Sequence, residues 1–310
     1  MVLRSKIHLN DCELAIIKVV AYYDVFNYPL TKKEILENLG NPFVESTFEI
    51  TINSLIQKNV IKTQDDFYFA QHFDTKFINQ RIKANQLARL MFPLARKYSD
   101  RISKFPFIKG VFISGGLSKN YFHKHSDIDY FIVTTKNRLW LCRTIFILYY
   151  KLLSKKKKEF FCLNYFISEA DLTIPDRNQF VATEIATLMP MVNHDLYIQF
   201  LQANDWYTSY FPQKSLWPAK DSLALKKNLV KSFMEYFFSG VIGNRVDDLL
   251  LRLTLKHWKK KYSDLKNEDF ELQIRSRKHV CKHHTKGYQN KVLEKWQTTI
   301  DVMLMQKEAI

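Results

Sequence analysis

Glycine is scarce in this chain, seven residues in 310, and proline barely commoner at eight. So little of either excludes collagen-like repeats, flexible linkers and low-complexity tracts. No internal repeat is visible. Cysteine is sparser still: Cys12, Cys142, Cys162 and Cys281 stand far apart without a Cys-x-x-Cys pair. Neither a disulfide framework nor a zinc ribbon is expected from them. A membrane-length apolar run is missing too. The longest, Leu139 to Leu153, is interrupted by Arg143 and Lys151 and is too short for a bilayer. Met1 to Asn10 is polar and charged, so no secretory leader is expected. These absences lead to the expectation of a cytoplasmic protein with no membrane partner.

Acidic residues are also in deficit. Forty-seven Lys and Arg against 31 Asp and Glu leave a formal charge of +16. Such a balance attracts phosphate-rich partners at long range; nucleotides, RNA, DNA and anionic membranes all answer to it. What the chain does have suits folding. Hydrophobic residues make up 46%, aromatic 15% and charged 25%, enough for two or three domains with their own cores.

The apolar spacing of Glu13 to Asn27 predicts a helix, with Leu14, Ile17, Val20 and Ala21 on one face. Thr31 and Glu34 form a capping box for a second helix that Gly40 closes, and Ser46 and Glu49 one for a third. "VIKTQDDFYFA" reads as a hairpin turning at Asp65-Asp66. Three helices and a hairpin in this order resemble a winged helix-turn-helix over 1–74. The outward positions of the third helix, Glu49, Asn53, Ser54 and Gln57, carry no cation, so sequence-specific DNA binding is not expected. A basic connecting helix follows over 75–103, and Pro93 is expected to kink or break it near Arg89. Next, over 104–175, come strands at "KGVFIS", "IDYFIVT" and "FFCLNYFIS", with a helix and a Lys155–Lys158 turn between the last two. From 176 to 310 the pattern is mainly helical. The fold class expected is α+β and multidomain: a winged module, a small mixed-sheet core and a helical C-terminal domain.

"SGGLSKNYFHKHSDIDYFIV" carries the chemistry. Paired glycines after a strand let the backbone approach a bulky anion, whose oxygens the free amides of the turn can hold. Ser114, Ser118 and Lys119 add hydroxyl and ammonium donors. Asp127 and Asp129, two apart on a strand, leave the same face and suit a hard divalent cation. This stretch resembles the signature of the DNA-polymerase-β-like nucleotidyltransferase superfamily. Gly115 and Gly116 match its glycine turn, ten residues (Leu117 to Ser126) intervene, and Asp127-Ile128-Asp129 matches its metal-binding triplet.

The resemblance implies transfer of a nucleoside monophosphate from an NTP, with Mg²⁺ or Mn²⁺ at Asp127 and Asp129. The acceptor hydroxyl would belong to a small molecule, a protein or an RNA end. The family's third carboxylate falls here on Asn164, which offers a metal a neutral oxygen but is no base. A base is therefore sought downstream: Glu169 and Asp171 after the strand, and first of all Glu184, between apolar positions of "FVATEIATLMP". Arg143, alone among apolar residues, pairs either with a phosphate or with an acidic side chain. The run Arg275 to Lys291 reads as a basic surface or a solvated helix end, without zinc-site spacing. The alternative function is an inactive nucleotidyltransferase fold that binds nucleotide or RNA, or regulates a partner.

Overall fold

Over residues 10–152, 162–283 and 287–308, which the computed structural model describes, the chain forms twelve α-helices and two β-sheets. Helix α1 (Asp11–Asp24) is opened by Asn10. Its side chain accepts from the amides of Cys12 and Glu13, while Glu13 reaches back to the Asn10 amide. β1 (Leu30–Thr31) leads into α2 (Lys32–Glu37), which starts with the expected Thr31–Glu34 box. Helix α3 (Glu45–Gln57) departs from expectation. It begins before Ser46 with no side-chain cap, and Glu49 pairs with Lys32 of α2 instead of closing a box. A cation on the neighbouring helix is the stronger partner for that carboxylate.

β2 (Ile61–Gln64) and β3 (Phe67–Ala70) form the expected hairpin. Asp65 and Asp66, at φ 52° and 63°, supply the two left-handed positions that a tight hairpin turn needs. The three strands pair in the order β1-β3-β2, over a core that includes Ile16, Ile17, Phe48, Ile52 and Leu55. Helix α4 (Lys76–Ser103) then continues past Pro93 without breaking. Proline removes one backbone bond. The buried face of α4, Ala84, Ala88, Ala95 and Tyr98, carries the helix past it.

The second sheet holds β4 (Ile108–Ser114), β5 (Asp129–Thr134), β6 (Cys162–Ser168), β7 (Met189–Val192), β8 (Ser276–Arg277) and β9 (Val280–Lys282), in the order β7-β4-β5-β6-β9-β8. β4 and β5 are antiparallel, with α5 (Gly115–Ser118) in the connection; β5 and β6 are parallel, with α6 (Leu139–Leu152) in the crossover. Val111, Phe112, Ile113 and Tyr130 to Val133 are all buried, which is why these strands read as continuous apolar runs rather than alternations. The sheet is not confined to 104–175. Three of its strands come from the stretch read as helical, and the basic run from Arg275 contains the β8–β9 hairpin against β6. Its residues 284–286 and the expected Lys155–Lys158 turn lie outside the described residues.

The helices after β6 are α7 (Gln179–Ala186), α8 (His194–Ala203), α9 (Leu229–Phe237), α10 (Val241–Lys261), α11 (Asn267–Gln273) and α12 (Tyr288–Glu308). Two contacts fix the first module against the sheet. Arg81 of α4 donates to Pro29 O and, at 2.7 Å, to both Glu34 oxygens. Trp296 of α12 donates to Lys18 O at 2.9 Å, and Ile300 and Met303 enter the module's core. These contacts bring Tyr28 and Tyr288 to the turn after β4. Among the described residues, no helix is long and apolar enough to cross a membrane.

Candidate active site

Ser114, the last residue of β4, pairs in register with Asp129, the first of β5. The turn after Ser114 therefore lies against a carboxylate, and this decides which residues can form it. Gly115 has φ +67°, and a Cβ there would run into Asp129 Oδ2. A Cβ on Gly116 would sit 2.7 Å from the carbonyl oxygen of Tyr121. Neither position has room for a side chain. The Gly115 carbonyl accepts from Ser118 Oγ at 3.0 Å and from Lys119 Nζ at 3.1 Å, so both donors stay beside the turn.

The two aspartates differ in environment. Asp127 is exposed and lies just before β5, not on the strand as expected, while Ile128 between them is fully buried. Burial pushes the Asp129 carboxyl up to about 6. The nearby Glu184 and Asp127 charges add to the rise, while a hydrogen bond with Cys162 and the Lys119 charge oppose it. Cys162 is level with Asp129 on the adjacent parallel strand. Asn164 lies farther along β6, and its side chain is outside the described residues. Among the described residues no group of three or more His, Cys, Asp or Glu is gathered as a metal cluster.

Glu184 is brought to this turn. Asn178 caps α7 by accepting from the Val181 amide, and the helix aims Glu184 back at β4. Its Oε1 lies 2.9 Å from Lys119 Nζ, and the Gly115 amide donates to Oε2 at 3.4 Å. A carboxylate thus fills the point where an ammonium and a turn amide converge. Glu169 and Asp171 are elsewhere. Glu169 accepts from the Lys136 amide beyond the Thr134–Ser168 end of the β5–β6 pair, opposite the end that holds Asp129.

Arg143 is not brought to the turn. Its guanidinium lies 4.7 Å from the Trp258 ring centre and 5.8 Å from that of Trp140, so aromatic rings, not the turn, are the cation's neighbours. Nearby, burial pushes His283 down to about 4, with the Arg143 and Lys261 charges adding to the effect, and Tyr262 lies 3.1 Å from its Nε2.

The sequence reading missed a ring of aromatic side chains. A cavity of about 490 Å³ opens beside Gly115, Gly116, Lys119 and Glu184. Its walls include Tyr22, Phe26 and Tyr28 from the first module, with Tyr121, Phe180 and Tyr288. A smaller cavity of about 140 Å³, lined mostly by apolar side chains, also borders Phe180, Glu184 and Tyr288 and reaches Ser114. The available signal was "AYYDVFNY", Ala21 to Tyr28, with four rings in eight residues at a helix end. Compared with protein-family models, curated proteins and solved structures, the chain matches none of them.

Proposed function

We propose that the protein is a nucleotidyltransferase that moves a nucleoside monophosphate from an NTP to an acceptor hydroxyl and releases pyrophosphate. The observation that carries this reading is the Ser114–Asp129 register, which sets the two-glycine turn directly against Asp129. Metal-assisted phosphoryl chemistry requires a triphosphate seat beside carboxylates, and a glycine turn next to Asp129 supports that reading.

Asp127 and Asp129 would hold Mg²⁺ or Mn²⁺. The fit rests on the surroundings of Asp129: a half-buried carboxylate with Asp127 and Glu184 close by is a concentration of negative charge that a hard cation offsets. When bound, the ion would neutralise phosphate charge and orient the reacting phosphate. The remaining roles belong to the chain itself. Gly115 and Gly116 admit the phosphates to the backbone, and Lys119, Ser114 and Ser118 offer donors to them. Glu184 yields the Gly115 amide and Lys119 to the entering triphosphate. It then takes the proton from the acceptor hydroxyl, whose oxygen bonds to the α-phosphorus as the bond to pyrophosphate breaks.

The first module has the element order of a winged helix-turn-helix. Its place in this reading is to close the aromatic cavity rather than to read DNA. A second reading, nucleotide binding without transfer, is favoured by Cys162, which stands level with Asp129 where another carboxylate would complete a metal site. Incubation with each labelled NTP, Mg²⁺ and a cell extract separates the two. Label moved onto an acceptor supports transfer. NTP binding with no transfer supports the second reading, and absence of binding overturns both.

A further inference from the structure

Helix α9 is built inside out. Lys231 and Glu235, one turn apart, face the protein, and apolar residues face water. Lys231 is 2% exposed, and its ammonium donates to Ser103 O at 2.9 Å and Ile108 O at 2.7 Å. Glu235 accepts from the Phe107 amide at 2.8 Å. Phe233, Tyr236 and Phe237 are 66%, 82% and 57% exposed, with the rings of Phe233 and Phe237 stacked at 6.4 Å.

The corner into α10 is fixed just as firmly. Arg138, buried, donates to Phe238 O at 2.6 Å, Ser239 O at 2.8 Å, Gly240 O at 3.1 Å and Asn244 Oδ1 at 2.6 Å. A Cβ on Gly243 would meet the Phe238 carbonyl oxygen and that guanidinium, so the corner closes only around glycine. Buried polar groups that find these partners anchor the two helices in one orientation. The apolar face is therefore presented by a rigid support and is not a loose element awaiting its core.

Helix α10, just beyond this corner, has an exposed face of its own. Ile242, Leu249 and Leu253 are exposed, and Arg245, Arg252 and Lys256 lie beside them at three- and four-residue spacing on the same side. The fully exposed charged residues of α9 and α10 are cations, while the Asp248 side chain is 46% exposed. Asp247 is buried and accepts from the Leu141 amide, and Asp248 pairs with Lys278. An apolar patch of this kind marks a contact surface. Its charge selects the occupant. A second copy would set arginine against arginine, with Asp248 already held by Lys278, whereas a sheet of anionic headgroups over acyl chains matches both the cations and the rings.

We propose that α9 and α10 dock the protein on an anionic phospholipid surface, Phe233, Tyr236 and Phe237 entering the headgroup boundary and Arg245 and Arg252 pairing with the headgroups. This contact lies on the membrane and needs no spanning segment, the feature on which the expectation of no membrane partner rested. It also stands apart from nucleotidyl transfer.

The test is co-sedimentation of the full chain with vesicles of phosphatidylcholine alone and of phosphatidylcholine mixed equally with phosphatidylglycerol. The protein should pellet with the mixed vesicles only, and less as salt is raised. Arg245→Gln and Arg252→Gln should each lower partitioning about fivefold. Phe233→Gln/Phe237→Gln should lower it by roughly tenfold or more. Both rings are exposed, so the circular dichroism spectrum should be unchanged; the arginine variants carry the test alone if it is not. Equal binding to both vesicle types, or no binding, would overturn the proposal. So would a dimer in light scattering that the phenylalanine variant splits, since a second copy would then cover the face.

Discussion

The Lys119 ammonium lies 2.9 Å from one oxygen of Glu184, and the Gly115 amide donates to the other oxygen of the same carboxylate. Residues from two separate parts of the chain thus share an anion site at the turn. On the proposed reading, a triphosphate entering there would compete with Glu184 for both donors.

Glu184→Gln keeps the size and removes the proton acceptor. Turnover should fall by roughly 10²–10⁴-fold, the usual contribution of a general base. The nucleotide dissociation constant should stay level or fall, because Lys119 is no longer held by a charge. Steady-state kinetics with a separate nucleotide titration would show this split. Normal turnover in the variant would remove the base role from α7.

Gly115→Ala tests the turn. The left-handed conformation alone costs a residue with Cβ about 1–2 kcal/mol, and the new methyl would press on the Asp129 carboxylate. Urea denaturation should register a loss of at least that size, and Mg²⁺-dependent NTP binding should vanish. A variant of native stability and affinity would show that the turn does not abut Asp129.

Asp129 gives a pH signature. Its carboxyl is raised to about 6 from an ordinary value near 4, so the folded chain favours the neutral acid. That stability is fully present below the ordinary value and lost as pH rises through about 6. In chelator, Asp129→Asn should therefore be the more stable protein at pH 7.5, by up to about 3 kcal/mol. The difference should close towards pH 4. Denaturation curves at the two pH values check this; an asparagine variant less stable at pH 7.5 would contradict the account of the buried charge.

How much of this was legible in the sequence follows from the range of each interaction. The Asp65-Asp66 hairpin and the Thr31–Glu34 box depend on neighbours a few residues apart, and the chain spells them out. Gly115 and Gly116 announced a position with no room for Cβ, but only the Ser114–Asp129 register shows which groups take up that room. Arg143 and the basic run from Arg275 could not be placed from sequence for one reason. A cation carries the same letter whether it stacks on Trp258 or lies in an edge strand paired with β6. That Phe233 and Tyr236 face water is not legible either, since a helix's apolar stripe does not say which side of it the protein occupies.

Helix α3 should not direct sequence-specific DNA binding. Glu45, Asn53 and Gln57 are exposed along it, and Lys58 at its end pairs with Glu13 at 3.2 Å, so few cations are left for phosphates. Selection from a random duplex pool at physiological salt should return no enriched motif. One recovered motif would mean that the module reads DNA after all.

The most direct test of the central claim is a calorimetric titration of NTP in the presence and absence of Mg²⁺, with wild type beside Asp127→Asn/Asp129→Asn. The account predicts NTP binding that Mg²⁺ tightens in the wild type, and loss of that Mg²⁺ effect in the variant. Equal NTP and Mg²⁺ affinity in the two proteins would contradict it.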